Sequence, residues 1–230
     1  SSTLAFIPSR GGSKGVPKKN IKNLNGKPLI YYTLKLCQDI NIPFLVSTDS
    51  SEIYNVCNDI GYTSEYKRPS RLAQDDSSIV DCVIHALDWI NKESKLNIKN
   101  VLLLQPTSPL RKKEDIIGAL SLFKKENIKS MFSVTPMREH PLECINLKDG
   151  SIWNYLIDHK KSYVGRQGYE QSYYFIDGSF YLSNVETILS HKRFLVEGIS
   201  VPYVINQRYS IDIDTIQDFE IVEYLMRGEE

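Results

Sequence analysis

The chain has 230 residues, 41% of them hydrophobic, so it can bury a full core as one domain with room for a small sub-lobe. Its 28 Lys and Arg balance 28 Asp and Glu, which argues against a nucleic-acid binder and leaves room for a local cluster of cations around a small anion. No apolar run approaches the roughly 20 residues of a membrane helix, and four scattered cysteines without C-x-x-C spacing argue against zinc and for a reduced, cytoplasmic protein.

Short apolar runs alternate with amphipathic helical patterns through the first 135 residues, which predicts βαβ units and a mostly parallel sheet in an α/β fold. Residues 3–7 read as the first strand, and Pro28 is suited to the first turn of a helix running to about 38. Residues 44–48 form a second strand, followed by a helix over 52–60 that Gly61 closes, and 62–66 read as a short third strand. A helix over 78–92 carries Val80, Val83, Ile84, Leu87 and Ile90 at helical spacing, and residues 101–104 are a central strand. A helix over 114–126 and a strand over 131–135 follow. From about 136 to 173 short segments broken by turn residues predict an inserted hairpin-rich lobe, with Asp149-Gly150 inside it and Asp177-Gly178 beyond it read as turns. Strands over 180–182, 201–204 and 210–213 and a helix over 215–226 complete the chain.

Three stretches carry chemistry. After the first strand, residues 9–20 place three glycines among Arg10, Lys14, Lys18 and Lys19, a composition suited to cradling phosphates. A solvated basic loop has the same composition, and the stretch matches neither the dinucleotide fingerprint nor the Walker loop. In S-I-D-I-D-T at 210–215, alternation sends Ile211 and Ile213 inward and projects Asp212 and Asp214 together. Two carboxylates at i and i+2 suit Mg²⁺, although Asp214 also reads as a helix cap. After the central strand, Gln105, Thr107, Ser108 and Arg111 stand where open α/β sheets bind ligands, in a stretch whose prolines also suit a stiff connector. Arg68-Pro69 with Asp75, Ser77 and Ser78 reads either as base or ribose contacts or as a turn and helix cap. Arg166-Gln167 lies in the lobe near Tyr169, Tyr173 and Tyr174, where an Arg suits either a sugar carboxylate or plain solvent. His85 falls on an apolar helix face and reads as a packing residue.

Taken in order, F-I-P-S-R-G-G-S-K-G-V-P-K-K-N at 6–20, V-S-T-D at 46–49, L-L-Q-P-T-S-P-L-R at 103–111 and S-I-D-I-D-T at 210–215 closely resemble the motifs of the CMP-sialic acid synthetases, or acylneuraminate cytidylyltransferases. The resemblance implies a Rossmann-like nucleotidyltransferase fold, CTP as donor, Mg²⁺ as cofactor, and a homodimer whose inserted lobe reaches towards the partner's sugar site. It implies that Arg10 and Lys19 bind the triphosphate and take part in catalysis, and that Gly11, Gly12 and Ser13 offer loop contacts to it. It further assigns Asn20 and Arg68 to the nucleotide, Ser77 and Ser78 to base or ribose, and Asp212 and Asp214 to the metal and catalysis. Gln105, Arg166, Gln167 and Tyr181 are its sugar-facing positions.

One departure bears on the sugar. Where many sialic acid enzymes read N-G-A-I-Y, this chain reads Asp177-Gly178-Ser179-Phe180-Tyr181. Asp177 brings an acceptor-only group, suited to an additional amide N–H such as diacetylated legionaminic acid carries. The expected reaction is therefore CMP transfer to a nine-carbon nonulosonic acid, N-acetylneuraminate or legionaminate. A synthetase for the eight-carbon acid Kdo and a non-catalytic nucleotide-binding module are the alternatives.

Overall fold

A computed structural model of the chain describes residues 3–94, 96–150, 152–157 and 172–228. The first strand, β1 (Thr3–Pro8), buries four consecutive apolar side chains, the pattern of a strand covered on both faces. A minute antiparallel pair, β2 (Asn23–Leu24) and β3 (Lys27–Pro28), leads into α1 (Leu29–Asp39), which Pro28 opens as N-cap. Next come β4 (Phe44–Ser47) and α2 (Ser51–Asp59), then α3 (Ile79–Glu93), β5 (Asn100–Leu103), α4 (Lys113–Lys125) and β6 (Ser130–Pro136). A separate antiparallel hairpin, β7 (Ile145–Lys148) and β8 (Ile152–Tyr155), precedes the long β9 (Tyr174–Asn184). The chain closes through α5 (Val185–His191), β10 (Ser200–Val204) and α6 (Ile216–Arg227).

The main sheet has the order β10-β6-β9-β5-β1-β4. Strands β4, β1 and β5 are parallel neighbours, β10 is parallel to β6, and β9 runs antiparallel to both β5 and β6. Period-two alternation along β1 divides the interior: Ala5 and Ile7 join the core beneath α1, α2 and α4, whereas Leu4 and Phe6 join the core beneath α3 and α5. A third, smaller core packs Phe219 and Val222 of α6 against Val16, Leu24, Leu29 and Ile213. This last core fastens the first loop and the C-terminal helix to one another, beside the carboxyl ends of β1 and β5.

Three expected features differ. Residues 62–66 form no strand; β4 is the sheet's edge, and the Tyr62 hydroxyl instead accepts the Val46 N–H at 3.0 Å. Asp177-Gly178 is no hairpin turn but the centre of a bulge in β9, where the register against β6 jumps between Phe132–Tyr181 and Val134–Ile176 and Gly178 takes φ +76°. Residues 210–213 join no sheet, yet burial still alternates, with Ile213 buried and Asp212 and Asp214 exposed, because the Ile213 N–H bonds the Thr107 carbonyl at 2.8 Å. Of the expected lobe, residues 151 and 158–171 lie outside the described residues.

Candidate active site

The loop after β1 is held in shape by its own short side chains. The Ser13 hydroxyl donates to the Val16 carbonyl at 2.7 Å and accepts the Lys19 N–H at 3.2 Å, while buried Val16 anchors the loop in the third core. Gly15 takes φ +83°, and a Cβ there would only touch the Asp214 carbonyl oxygen at 3.4 Å, so it is the left-handed backbone rather than lack of room that calls for glycine where the loop meets residue 214. Gly11 donates its N–H to Asp49 Oδ1 at 2.8 Å, and a Cβ on it would come within 2.9 Å of Ser50. Asn20 donates to the Arg10 carbonyl at 3.5 Å.

Above the carboxyl ends of β1, β4 and β5 opens a cleft of ≈ 610 Å³, where ligands bind in open α/β sheets. The first loop lines it with Arg10, Gly12, Ser13, Lys14, Lys19 and Asn20; the segment before α3 contributes Arg68, Gln74, Asp75 and Ser77; the segment after β5 contributes Gln105, Pro106 and Thr107. Asp214 completes the wall, its Oδ1 3.7 Å from the Lys19 ammonium, so residues from the two ends of the chain meet in one place. Lys18 turns away to Glu52, at 2.9 Å. Across the mouth, Asp75 accepts Arg10 Nη1 at 2.6 Å on one oxygen and Lys14 Nζ at 2.8 Å on the other, and these bonds hold its pKa below the usual carboxylate range.

Asp212 stands beside Asp214. Although Asp212 is exposed as a residue, partial desolvation of its carboxyl by the surrounding protein pushes its pKa up and the like charge of Asp214 adds to this, while the Thr107 hydroxyl and the cations Lys19 and Arg111 pull it back. The backbone beneath is set by a capping box on α6: Asp218 Oδ2 accepts the N–H groups of Asp214 and Thr215 at 2.9 and 2.8 Å, and Thr215 Oγ1 accepts the Asp218 N–H. Asp214 is therefore beside the helix cap rather than the cap itself, and its carboxylate stays free for the cleft. Of the pair only Asp214 lines the cleft, with Asp212 two residues back on the same, outward side of the segment; such a pair beside cations fits Mg²⁺, which takes one or two carboxylates and fills its remaining positions with water and phosphate oxygens. Among the described residues no group of three or more His, Cys, Asp and Glu has metal-binding geometry, so an all-protein cage is not offered.

The remaining sites expected from sequence are distributed as follows. Arg68 borders the cleft, yet its guanidinium is buried and donates to the Ser47 hydroxyl and carbonyl, each at 2.9 Å. Ser77 borders it too, its hydroxyl accepting the Gln74 N–H at 2.9 Å, whereas Ser78 lies off the cleft as the N-cap of α3. Asp177 is 5% exposed and away from the cleft wall; it accepts the Ser179 hydroxyl on Oδ2 and leaves Oδ1 without a partner. Tyr181 is partly buried, and burial with the charges of Asp177 and Asp212 raises its pKa. Arg166 and Gln167 lie outside the described residues.

Sequence reasoning missed Asp49 and Asp218 as supports of the loop and of residue 214. Parallel register was the available signal for the first, since Pro8 pairs with Ser47 and so sets Asp49 level with Arg10. Arg111, expected to face a ligand, is a strut: it donates to the carbonyls of Ser179 and Gln105 and to Thr33 Oγ1, joining β9, the segment after β5 and α1. Burial brings its pKa down to about 10.

A protein-family model described as Cytidylyltransferase matches residues 4–167. The chain belongs to the cytidylyltransferase family. It is thus a nucleotidyltransferase enzyme, and the matched span includes the glycine loop, Arg68 and the segment after β5. The chain is 36% identical to the CMP-N,N'-diacetyllegionaminic acid synthase of Legionella pneumophila, covering 97% of this chain and 95% of that one. It is 29% identical to the pseudaminic acid cytidylyltransferase of Campylobacter jejuni, over 97% and 96% of the two chains. An N-acylneuraminate cytidylyltransferase of Streptococcus agalactiae is also 29% identical, the match spanning 94% of this chain and 51% of that longer one. These relatives are CMP-nonulosonic acid synthetases. Among solved structures the fold is similar to CMP:2-keto-3-deoxy-manno-octonic acid synthetase complexed with CTP, at TM-score 0.71 and 15% identity over the whole of both chains. It is also similar to 4-diphosphocytidyl-2C-methyl-D-erythritol synthase of Anaerococcus prevotii, at TM-score 0.65 and 11% identity over 98% of each.

Proposed function

We propose that the enzyme transfers CMP from CTP to the anomeric hydroxyl of a nonulosonic acid and releases pyrophosphate. The observation that carries this is the meeting of Lys19 and Asp214, 3.7 Å apart, in a cleft whose wall also holds Arg10 and the glycine loop. The sugar hydroxyl oxygen attacks the α-phosphorus and releases its proton to solvent, the bond from that phosphorus to the bridging oxygen breaks, and its electron pair leaves with pyrophosphate. Positioning and charge neutralisation supply most of such a rate. Arg10 and Lys19 offset the charge that builds on the departing pyrophosphate, and amides of Gly12 and Ser13 orient its oxygens while the Gly11 amide stays on Asp49. Asn20 and Ser77 position the nucleoside, with Arg68 bracing the cleft wall through Ser47 and Ser78 setting the helix start beside them. Asp212 and Asp214 would hold Mg²⁺, which when bound polarises the α-phosphate.

In this reading Gln105 and Tyr181 face the sugar together with Arg166 and Gln167, and Asp177, 5% exposed and off the cleft wall, acts from beneath them. The 36% identity to a diacetyllegionaminate synthase supports a diacetylated legionaminic acid over N-acetylneuraminate. The β7–β8 hairpin exposes Ile145, Leu147, Ile152, Trp153 and Tyr155, and β9 exposes Tyr174 and Phe175, which supports burial against a second copy in a homodimer. Free thiols at Cys37 and Cys57, whose pKa burial pushes to about 12, support a reduced cytoplasmic setting. No helix among the described residues is long and apolar enough to cross a membrane.

A pyrophosphate-release assay with CTP, Mg²⁺ and a panel of acidic sugars tests the reading. Release dependent on a nine-carbon acid is expected, with diacetyllegionaminate turned over faster than N-acetylneuraminate. A clear preference for N-acetylneuraminate sinks the sugar assignment, and no release with any of the panel sinks the reaction.

A further inference from the structure

We infer that Asp75 is a resident anion in the phosphate site: it holds the Arg10 and Lys14 side chains in the free enzyme and gives them up to the incoming triphosphate. It thereby acts as a positioning residue that lowers affinity for nucleotide and eases the departure of pyrophosphate. The inference rests on the triphosphate site proposed above.

Each carboxylate oxygen of Asp75 takes one cation, Arg10 at 2.6 Å and Lys14 at 2.8 Å, distances typical of charge-assisted hydrogen bonds. The carboxylate has no other partner among the described residues, and its side chain is 54% exposed, so the contact braces no core. The backbone beneath is held separately, by the Ser77 N–H bonded to the Gln74 carbonyl and the Gln74 N–H bonded to the Ser77 hydroxyl. Asp75 can therefore release its cations by side-chain rotation without unfolding the segment that carries it.

Arg10 and Lys14 come from the glycine loop and Asp75 from the opposite rim, 65 residues away from Arg10, so the bonds span the mouth of the cleft. A carboxylate and a phosphate oxygen are acceptors for the same N–H donors. Whatever Asp75 holds, the triphosphate must either share or displace. Glu52 at 2.9 Å from Lys18 lies off the cleft, and Asp214, which lines it, is held less closely at 3.7 Å from Lys19. Asp75 is thus the strongest internal competitor, and its solvent exposure limits the effect to a modest factor because exposed ion pairs are screened.

Calorimetric titration with inorganic pyrophosphate tests this on the intact enzyme. Asp75→Asn keeps the size and removes the charge, and it should tighten pyrophosphate binding roughly three- to ten-fold, the scale of one or two exposed ion pairs. Product inhibition by pyrophosphate should strengthen by the same factor, and Asp75→Glu should stay within about two-fold of the wild type. Circular dichroism melting verifies that both variants fold. Unchanged or weaker pyrophosphate binding in Asp75→Asn, with the wild type binding normally, overturns the competitor role alone. A wild type that binds no pyrophosphate overturns the phosphate-site reading together with it.

Discussion

Replacing Arg111 with lysine separates hydrogen bonding from charge at the strut beneath the cleft. The guanidinium serves three acceptors at once, the carbonyls of Gln105 and Ser179 and the hydroxyl of Thr33. A lysine keeps the buried charge, but its single nitrogen on a shorter reach serves one of them well. At least two acceptors lose their donor, and each partly buried orphan costs about 1 kcal/mol or somewhat more. Arg111→Lys is therefore expected to lose roughly 2–3 kcal/mol of unfolding free energy, which for a chain of this length lowers the melting temperature by about 4–12 °C. The loss should reach the reaction as well, since Gln105 and the β9 bulge bearing Asp177 are two of the three parts the strut ties together. Urea denaturation followed by circular dichroism gives the stability, and the pyrophosphate-release assay gives the turnover. A lysine variant within about 0.5 kcal/mol of the wild type would refute the claim that these three bonds carry the strut.

Asp212→Asn should reduce CTP-dependent turnover by about 100-fold or more while leaving the melting temperature within a few degrees, because its carboxylate serves the reaction and not the core; full activity in a folded variant would remove it from the site. His85 sits 3.1 Å from the Tyr66 hydroxyl, and burial, helped by Arg71, lowers its pKa. The unfolded chain takes up that proton near pH 6.5 and the folded chain only at lower pH, so this contribution is complete above about 6.5 and declines as pH falls through the folded pKa. His85→Gln should flatten the fall in urea midpoint between pH 7 and 5, and an unchanged slope would count against it. Trp153→Asp, on the exposed hairpin, should shift the enzyme towards monomer in analytical ultracentrifugation, whereas a wild type that is already monomeric ends the homodimer proposal.

Much of the scaffold was legible because local rules and tertiary outcome agree. Leu4-Ala5-Phe6-Ile7 is apolar without interruption since both faces of β1 are covered, and Ser78 marks the start of α3 by capping it. The glycine loop was legible for a related reason: Gly15 must take a positive φ next to Asp214. Residues 174–184 were harder. Their central Asp-Gly resembles a hairpin turn, and only pairing with both β5 and β6 makes them one bulged strand. The same limit applies to residues 210–213, where alternation of burial survives without a ladder because the Ile213 N–H bond to the Thr107 carbonyl fixes which side chain turns inward. Arg68 and Arg111 look alike as free cations in sequence. Their hydrogen bonds to carbonyls and hydroxyls distant in the chain are what commit them to the frame.

By itself, the sequence determined the α/β class, the phosphate-suited loop, the paired carboxylates and the family, since each depends on residue type and near-neighbour spacing. Tertiary structure decided which of those groups share one cleft. Lys19 meets Asp214 because α6 docks on the first loop through Val16, Ile213 and Phe219, and Asp75 reaches Arg10 and Lys14 because the segment before α3 forms the facing rim. Charge pairing between residues so far apart has no local signature; it appears only when the core brings them together.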